Sequence, residues 1–128
     1  HSAHYYFADF WNADTGMLAA LHVLAALGGQ DGPLSALVES YDRYAGSGEV
    51  NSTVADQSGR LAAVRAAYEK QPGTTLDELD GLTVASDDWW FNLRPSNTEP
   101  LLRLNVEARD THTMTKLRDE VLALVRGG

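Results

Sequence analysis

From Met17 to Leu27 the chain is apolar almost without a break, interrupted only by His22. Leu18, Leu21, Leu24 and Leu27, with Met17, Ala20, Val23 and Ala25, cover nearly every side of a helix. Asp14 and Thr15 are its N-cap candidates and Gly28-Gly29 its stop. A helix apolar all round is one built to be covered all round. His22 is its lone polar residue and reads as a satisfied core histidine. A second helix is predicted from Pro33, with Leu34, Leu37, Val38, Tyr41 and Tyr44 on one stripe. Gly46 and Gly48 end it, and Ala45 to Gly48 reads as the best linker in the chain.

The period then shifts to two. Val50, Ser52 and Val54 alternate with Glu49, Asn51 and Thr53, as in a half-buried strand. Asp56 caps a predicted helix whose inner face carries Leu61, Val64 and Tyr68, closed by Pro72-Gly73. Asp80-Gly81 is a hairpin signal between two short apolar runs. Trp89, Phe91 and Leu93 alternate with Trp90, Asn92 and Arg94. This predicts one tryptophan in the core and the other at a surface or cleft. Leu102, Leu104 and Val106 alternate with Arg103, Asn105 and Glu107. Thr111 is the predicted cap of a last helix bearing Met114, Leu117, Val121 and Leu124. Residues 49–128 therefore read as β-α-β-β-β-β-α, or one strand fewer. The fold class is α+β, an antiparallel sheet with two helices on one face. Two helices without a sheet of their own precede it, as if left over from an α/β domain, and the chain is expected to be a fragment of something longer.

Composition narrows the partners. Ten Lys plus Arg against eighteen Asp plus Glu leave a net charge of -8, so no basic face is available for nucleic acid or an anionic membrane. The longest apolar run is well short of the ~20 residues that a membrane span needs. With no Cys there is neither a disulfide framework nor a thiol nucleophile, which fits a cytoplasmic location.

Two stretches carry candidate chemistry. Arg94-Pro95-Ser96-Asn97-Thr98-Glu99-Pro100 lies between two predicted strands. A phosphate dianion needs convergent donors, and this loop offers a guanidinium, two hydroxyls and a carboxamide between stiffening prolines. Arg103, on the outward face of the next strand, adds charge, whereas Glu99 would repel a phosphate unless it points away. The same residue types also make ordinary turns. The second stretch is His1-Ser2-Ala3-His4-Tyr5-Tyr6-Phe7. Its imidazoles, hydroxyl and aromatics suit a sugar ring, or are simply polar residues at a chain end. Nothing in the sequence orients the histidines for hydrolase chemistry, and no zinc spacing or nucleotide loop occurs. A non-enzymatic, acidic α+β interaction module with the Trp89-Trp90 pair as its interface is the alternative.

At these residues the chain resembles the C-terminal part of the α-D-phosphohexomutases of the phosphomannomutase/phosphoglucomutase type. The resemblance runs over essentially all 128 residues. It is strongest at Ser2-Ala3-His4, Ala13-Asp14-Thr15-Gly16-Met17, Gly48-Glu49-Val50-Asn51, Asp80-Gly81-Leu82 and the Arg-x-Ser-Asn-Thr-x-Pro loop from Arg94 to Pro100. It implies that residues 1–45 end a third, α/β domain and include part of its sugar-recognition loop, with Ser2 and His4 sugar-binding. Residues 46–128 would be the fourth, TBP-like domain, with Arg94, Ser96, Asn97 and Thr98 phosphate-binding and Ala45 to Gly48 as hinge. The implied parent reaction interconverts hexose 1-phosphate and hexose 6-phosphate through a phosphoserine and a bisphosphosugar, which also serves as activator, with magnesium as cofactor. The partners implied are the hexose phosphate and the N-terminal domains of the same polypeptide. The family's sugar-loop Glu would fall just before His1. No Ser-His-Asn phosphoserine loop and no Asp-Gly-Asp metal loop is present in the sequence. The chain itself is thus expected to hold no catalytic residue, metal or cofactor and to be inactive alone.

Overall fold

A computed structural model describes residues 4–127. The chain divides after Asp42 into two compact units. In the first, β1 (Tyr6–Phe7) and β2 (Ala13–Asp14) form an antiparallel ribbon, Tyr6 opposite Asp14 and Phe7 opposite Ala13. A 3-10 turn, Ala8–Phe10, links them, and Trp11 and Asn12 turn the chain back in the left-handed region. Helix α1 (Gly16–Gly28) starts where Thr15 Oγ1 accepts from Leu18 N at 3.3 Å. Helix α2 (Leu34–Glu39) starts after Pro33.

Three expectations change here. The ribbon β1–β2 was not legible, because two residues are too few to show alternation. Helix α2 stops at Glu39 rather than continuing to Tyr44, and Ser40 Oγ caps its end by donating to Leu37 O at 2.8 Å. Tyr41 and Tyr44 are exposed, so the stripe that suggested a longer helix has nothing to pack against. Finally, no described residue up to Asp42 is buried: Met17 is 76% exposed and Leu24 61%. His22 is accordingly not a core histidine. It is exposed, with its ring stacked on Phe7 at 5.1 Å between centroids.

The second unit is a six-stranded antiparallel sheet under two helices. Its elements are β3 (Ala45–Gly46), β4 (Val50–Thr53), α3 (Gln57–Tyr68), β5 (Thr75–Asp77), β6 (Leu82–Ala85), β7 (Trp89–Pro95), β8 (Leu101–Ala108) and α4 (Thr111–Arg126). The strand order is β3-β8-β7-β6-β5, and β4 also pairs with β8. Leu82, Val84, Phe91, Leu93, Leu102, Leu104 and Val106 are buried on one face of the sheet, as the alternation predicts. They form one core with Val64 and Tyr68 of α3 and with Met114, Leu117, Val121 and Val125 of α4. Trp89 packs against this core and edge-on to Tyr68, while Trp90 is on the opposite face, its Nε1 donating to Glu107 Oε2 at 3.1 Å. Ser52, the buried polar residue among those described, accepts from Arg126 Nε at 3.2 Å.

Helix α3 is capped by Asp56, whose carboxylate accepts from Gly59 N at 2.8 Å. Helix α4 is capped by Asp110 rather than Thr111, accepting from Thr113 N at 2.9 Å. An ionised carboxylate is the better acceptor there, and Thr113 Oγ1 adds a second bond to it.

The stretch read as a linker is instead a bulged edge of the sheet. Gly46 lies opposite Glu107 and Val50 opposite Leu104, so Ser47, Gly48 and Glu49 face only Asn105 and Val106. The extra residue is accommodated at Gly48, at φ 64°. Ser47 keeps the ladder closed: its N–H donates to Val106 O and its Oγ accepts from Val106 N, both at 2.9 Å.

Candidate functional site

Strands β7 and β8 place Arg94 directly opposite Arg103. Because Leu93, Leu102 and Leu104 point into the core, both arginines fall on the face away from the helices. Like charges directly opposite each other repel. Carboxylates from two other elements offset this. Glu49 bridges the pair, Oε2 to Arg94 Nη2 at 3.9 Å and Oε1 to Arg103 Nη1 at 3.6 Å, and Asp80 Oδ2 is 3.5 Å from Arg94 Nη1. Each guanidinium-bearing side chain is about one-third exposed, at 35% and 32%. They are thus partly dried yet open to a ligand.

The loop between the strands is held at both shoulders. Ser96 N donates to Leu101 O at 2.9 Å, and Leu101 N to Glu99 O at 2.8 Å. Val54 N donates to Pro100 O, and Gln57 Nε2 reaches the carbonyls of Glu99 and Leu101 at 3.4 and 3.2 Å. Ser96 Oγ accepts from Thr98 N and from Arg103 Nη2, both at 3.4 Å, so the loop hydroxyl and the second guanidinium meet. Asn97 and Thr98 are exposed, and the Asn97 carboxamide makes no hydrogen bond among the described residues. Glu99 forms no ion pair with either arginine; their carboxylate partners are Glu49 and Asp80. A cleft of about 490 Å³ opens between the loop, Ser96 to Pro100, and the start of α3, Val54 to Ser58. Arg94 is not in its lining, and of the two arginines it is Arg103 that reaches the loop, at Ser96.

The second predicted site is in the first unit. Ser2 lies outside the described residues. His4 is described: its Nδ1 lies 2.5 Å from Asp14 Oδ2, while Asp14 Oδ1 accepts from Tyr5 N at 3.0 Å. The hydrogen bond from His4, followed by that from the Tyr5 amide, holds the Asp14 carboxyl below the usual carboxylate range. A carboxylate on Nδ1 fixes the orientation of the ring. No orienting group for His4 is evident from the sequence alone; the structure supplies Asp14.

Sequence reasoning also passed over the groups that support Arg94. Glu49 and Asp80 sat in quoted motifs without a role, and Gln57 gave no signal. Gly81 had its hairpin signal but not its second constraint. At φ 72°, a Cβ there would stand 2.6 Å from both Arg94 Cβ and Leu93 O. Only glycine lets the β5–β6 turn lie this close to the arginine. Among the described residues no cluster of three or more His, Asp or Glu is arranged to hold a metal ion. The magnesium implied by the resemblance has no fitting ligand set among those described residues. No described helix is long and apolar enough to cross a membrane.

Two family models match the chain. Residues 49–124 match the family model described as phosphoglucomutase/phosphomannomutase, C-terminal domain. Residues 1–44 match that described as phosphoglucomutase/phosphomannomutase, alpha/beta/alpha domain III. A phosphomannomutase of Methanocaldococcus jannaschii is 38% identical over 124 residues, covering 97% of this chain and 27% of the relative. One from Escherichia coli is 40% identical over 127 residues, covering 98% and 28%. A protein named phosphohexose mutases in Xanthomonas campestris is 44% identical over 129 residues, covering 98% and 28%. The chain thus spans little more than a quarter of the length of these relatives. The crystal structure of a phosphoglucomutase/phosphomannomutase family protein from Burkholderia thailandensis shares the fold, with a TM-score of 0.71 and 24% identity over 98% of this chain and 27% of that one.

Proposed function

The chain belongs to the phosphoglucomutase/phosphomannomutase family, and from that premise we propose that it is the phosphosugar-gripping C-terminal portion of a phosphohexomutase. In this reading residues 1–45 are the last helices of the third domain, with Ser2 and His4 on the sugar, and residues 46–128 are the fourth, phosphate-binding domain. Arg94, Ser96, Asn97 and Thr98 hold the phosphate that is not being transferred. The whole protein interconverts hexose 1-phosphate and hexose 6-phosphate through a phosphoserine and a bisphosphosugar. This chain alone is inactive and works with the other domains of the polypeptide, which supply the phosphoserine and magnesium, in the cytoplasm.

The observation that carries the reading is the Arg94–Arg103 pair beside the Ser96 hydroxyl. Two half-dried guanidiniums give charge and planar forks for phosphate oxygens. The hydroxyls and the carboxamide of the adjoining loop add donors whose directions adapt. That combination suits a site that must grip a phosphate at either end of a hexose in turn. The chemistry asked of it is positioning rather than bond making, and phosphoryl transfer depends heavily on positioning. His4, fixed by Asp14, is suited to a sugar hydroxyl.

The test is mannose 1-phosphate binding by this chain and by Arg94→Ala. Loss of a charged contact of this kind costs ~1.5–3 kcal/mol, about ten- to a hundred-fold in affinity. Unchanged affinity in Arg94→Ala refutes the assignment.

A further inference from the structure

We propose that Glu49 is a built-in competitor for the anion site: its carboxylate bridges the Arg94–Arg103 pair as a phosphate would, and an incoming phosphate must displace it. The inference rests on the phosphate reading above and adds to it a residue that sets which anions the site accepts.

The placement is specific. The bulge at Gly48 ends at Glu49, just before Val50 resumes the register with β8, and alternation with the core-facing Val50 puts the Glu49 side chain on the face of Arg94 and Arg103. The two carboxylate oxygens divide between the two guanidiniums, Oε1 towards Arg103 and Oε2 towards Arg94. A phosphate that bridged the pair would place two of its oxygens in the same positions.

The contacts are also loose. The Glu49 pairs span 3.6 and 3.9 Å, longer than a charge-assisted hydrogen bond, and Asp80 accepts only a long one from Arg94 Nη1, at 3.5 Å. Elsewhere in the same unit arginines are held tightly: Arg65 Nε lies 2.7 Å from Glu78 Oε1, and Arg118 Nη2 lies 2.8 Å from Asp119 Oδ1. Glu49 therefore offsets the repulsion of the two cations without saturating their donors.

Selectivity follows from the charge count. A phosphate dianion replaces both of Glu49's ion pairs at once. Acetate, a single carboxylate like Glu49 itself, exchanges like for like and brings no extra charge to the pair. Glu49 thus raises the threshold for every anion, and an anion gains by displacing it only where it brings more charge than a carboxylate.

The experiment is an amide NMR titration of the 128-residue chain with inorganic phosphate and, separately, acetate, at constant ionic strength. Wild type, Glu49→Gln, Asp80→Asn and Arg94→Ala are compared. Glu49→Gln is expected to bind phosphate about three- to tenfold more tightly and to bind acetate more tightly as well. Asp80→Asn, which frees only Arg94, is expected to gain about half of that on a logarithmic scale. It carries the test if Glu49→Gln misfolds. Binding that is unchanged or weaker in both carboxamide variants overturns the competitor role and makes these carboxylates positioning residues for the guanidiniums. If Arg94→Ala abolishes binding in that case, the phosphate site stands and only the role of Glu49 fails. If phosphate shifts no resonance near Arg94 in any of the proteins, both readings fail together.

Discussion

Helices α1 and α4 are of similar length and meet opposite fates. Helix α4 carries one apolar stripe, and Met114, Leu117, Val121 and Val125 are buried under it, with charged residues such as Lys116 and Asp119 outside. Helix α1 is apolar on nearly every side and buries none of its residues. A single stripe is satisfied by one layer, and residues 43–128 provide it as a sheet. A helix apolar all round needs neighbours on several sides. Residues 4–42 offer only a two-residue ribbon and a six-residue helix. The lesson is that the pattern states how much cover an element requires, and the remaining chain decides whether it receives it.

The largest expected effect breaks this comparison directly. Phe91→Ala removes a fully buried ring and is expected to cost ~3–5 kcal/mol in urea unfolding followed by circular dichroism. Leu21→Ala, on the exposed surface of α1, is expected to stay within ~0.5 kcal/mol. Equal losses would mean that the two units share one cooperative core.

A second contrast sharpens the same point at the site. Gly81 and Gly73 both have positive φ, but only at Gly81 does a new Cβ meet neighbouring atoms. Gly73→Ala is expected to cost ~1–2 kcal/mol for the backbone alone. Gly81→Ala is expected to cost more and, by pushing on Arg94, to weaken phosphate binding. Phosphate affinity that falls equally in both variants would remove that link.

Titration separates the units more gently. The Tyr68 phenol is pushed up to about 12 by burial and by the nearby Glu120 carboxylate. Its folded value lies above the ordinary 10.0, so its contribution to stability is complete below pH 10.0 and is lost as the pH rises towards about 12. Alkaline difference absorbance should show a late-ionising tyrosine, and Tyr68→Phe should remove that step. In the first unit Asp14 behaves in the opposite sense. Its value is lowered beneath the ordinary 3.8, so its link to His4 is complete above that pH and is lost as the pH falls through the lowered value. The His4 ring resonances report the loss, and Asp14→Asn should abolish the transition.

Much of the second unit was legible because its signals are local. Trp89 to Arg94 and Leu102 to Glu107 alternate without a fault, and a period of two needs no knowledge of the partner strand. The loop from Arg94 to Pro100 stood out through its density of donors. What stayed hidden depends on residues far apart in sequence. Ala45-Gly46-Ser47-Gly48 has the composition of a linker, and only its pairing with β8 shows that it is a bulged edge. Glu49, Asp80 and Arg103 meet around Arg94 from three other segments of the chain. Asp14 looked like a helix cap, a role that Thr15 fills, and holds His4 instead.

The most direct test of the central claim is an amide NMR titration of this chain with mannose 1-phosphate, with mannose as the uncharged control. The account predicts shifts at Arg94, Ser96, Asn97, Thr98 and Arg103 with the phosphosugar and none there with mannose. Shifts at these residues with mannose alone, or saturating phosphosugar that leaves them unmoved, would contradict it.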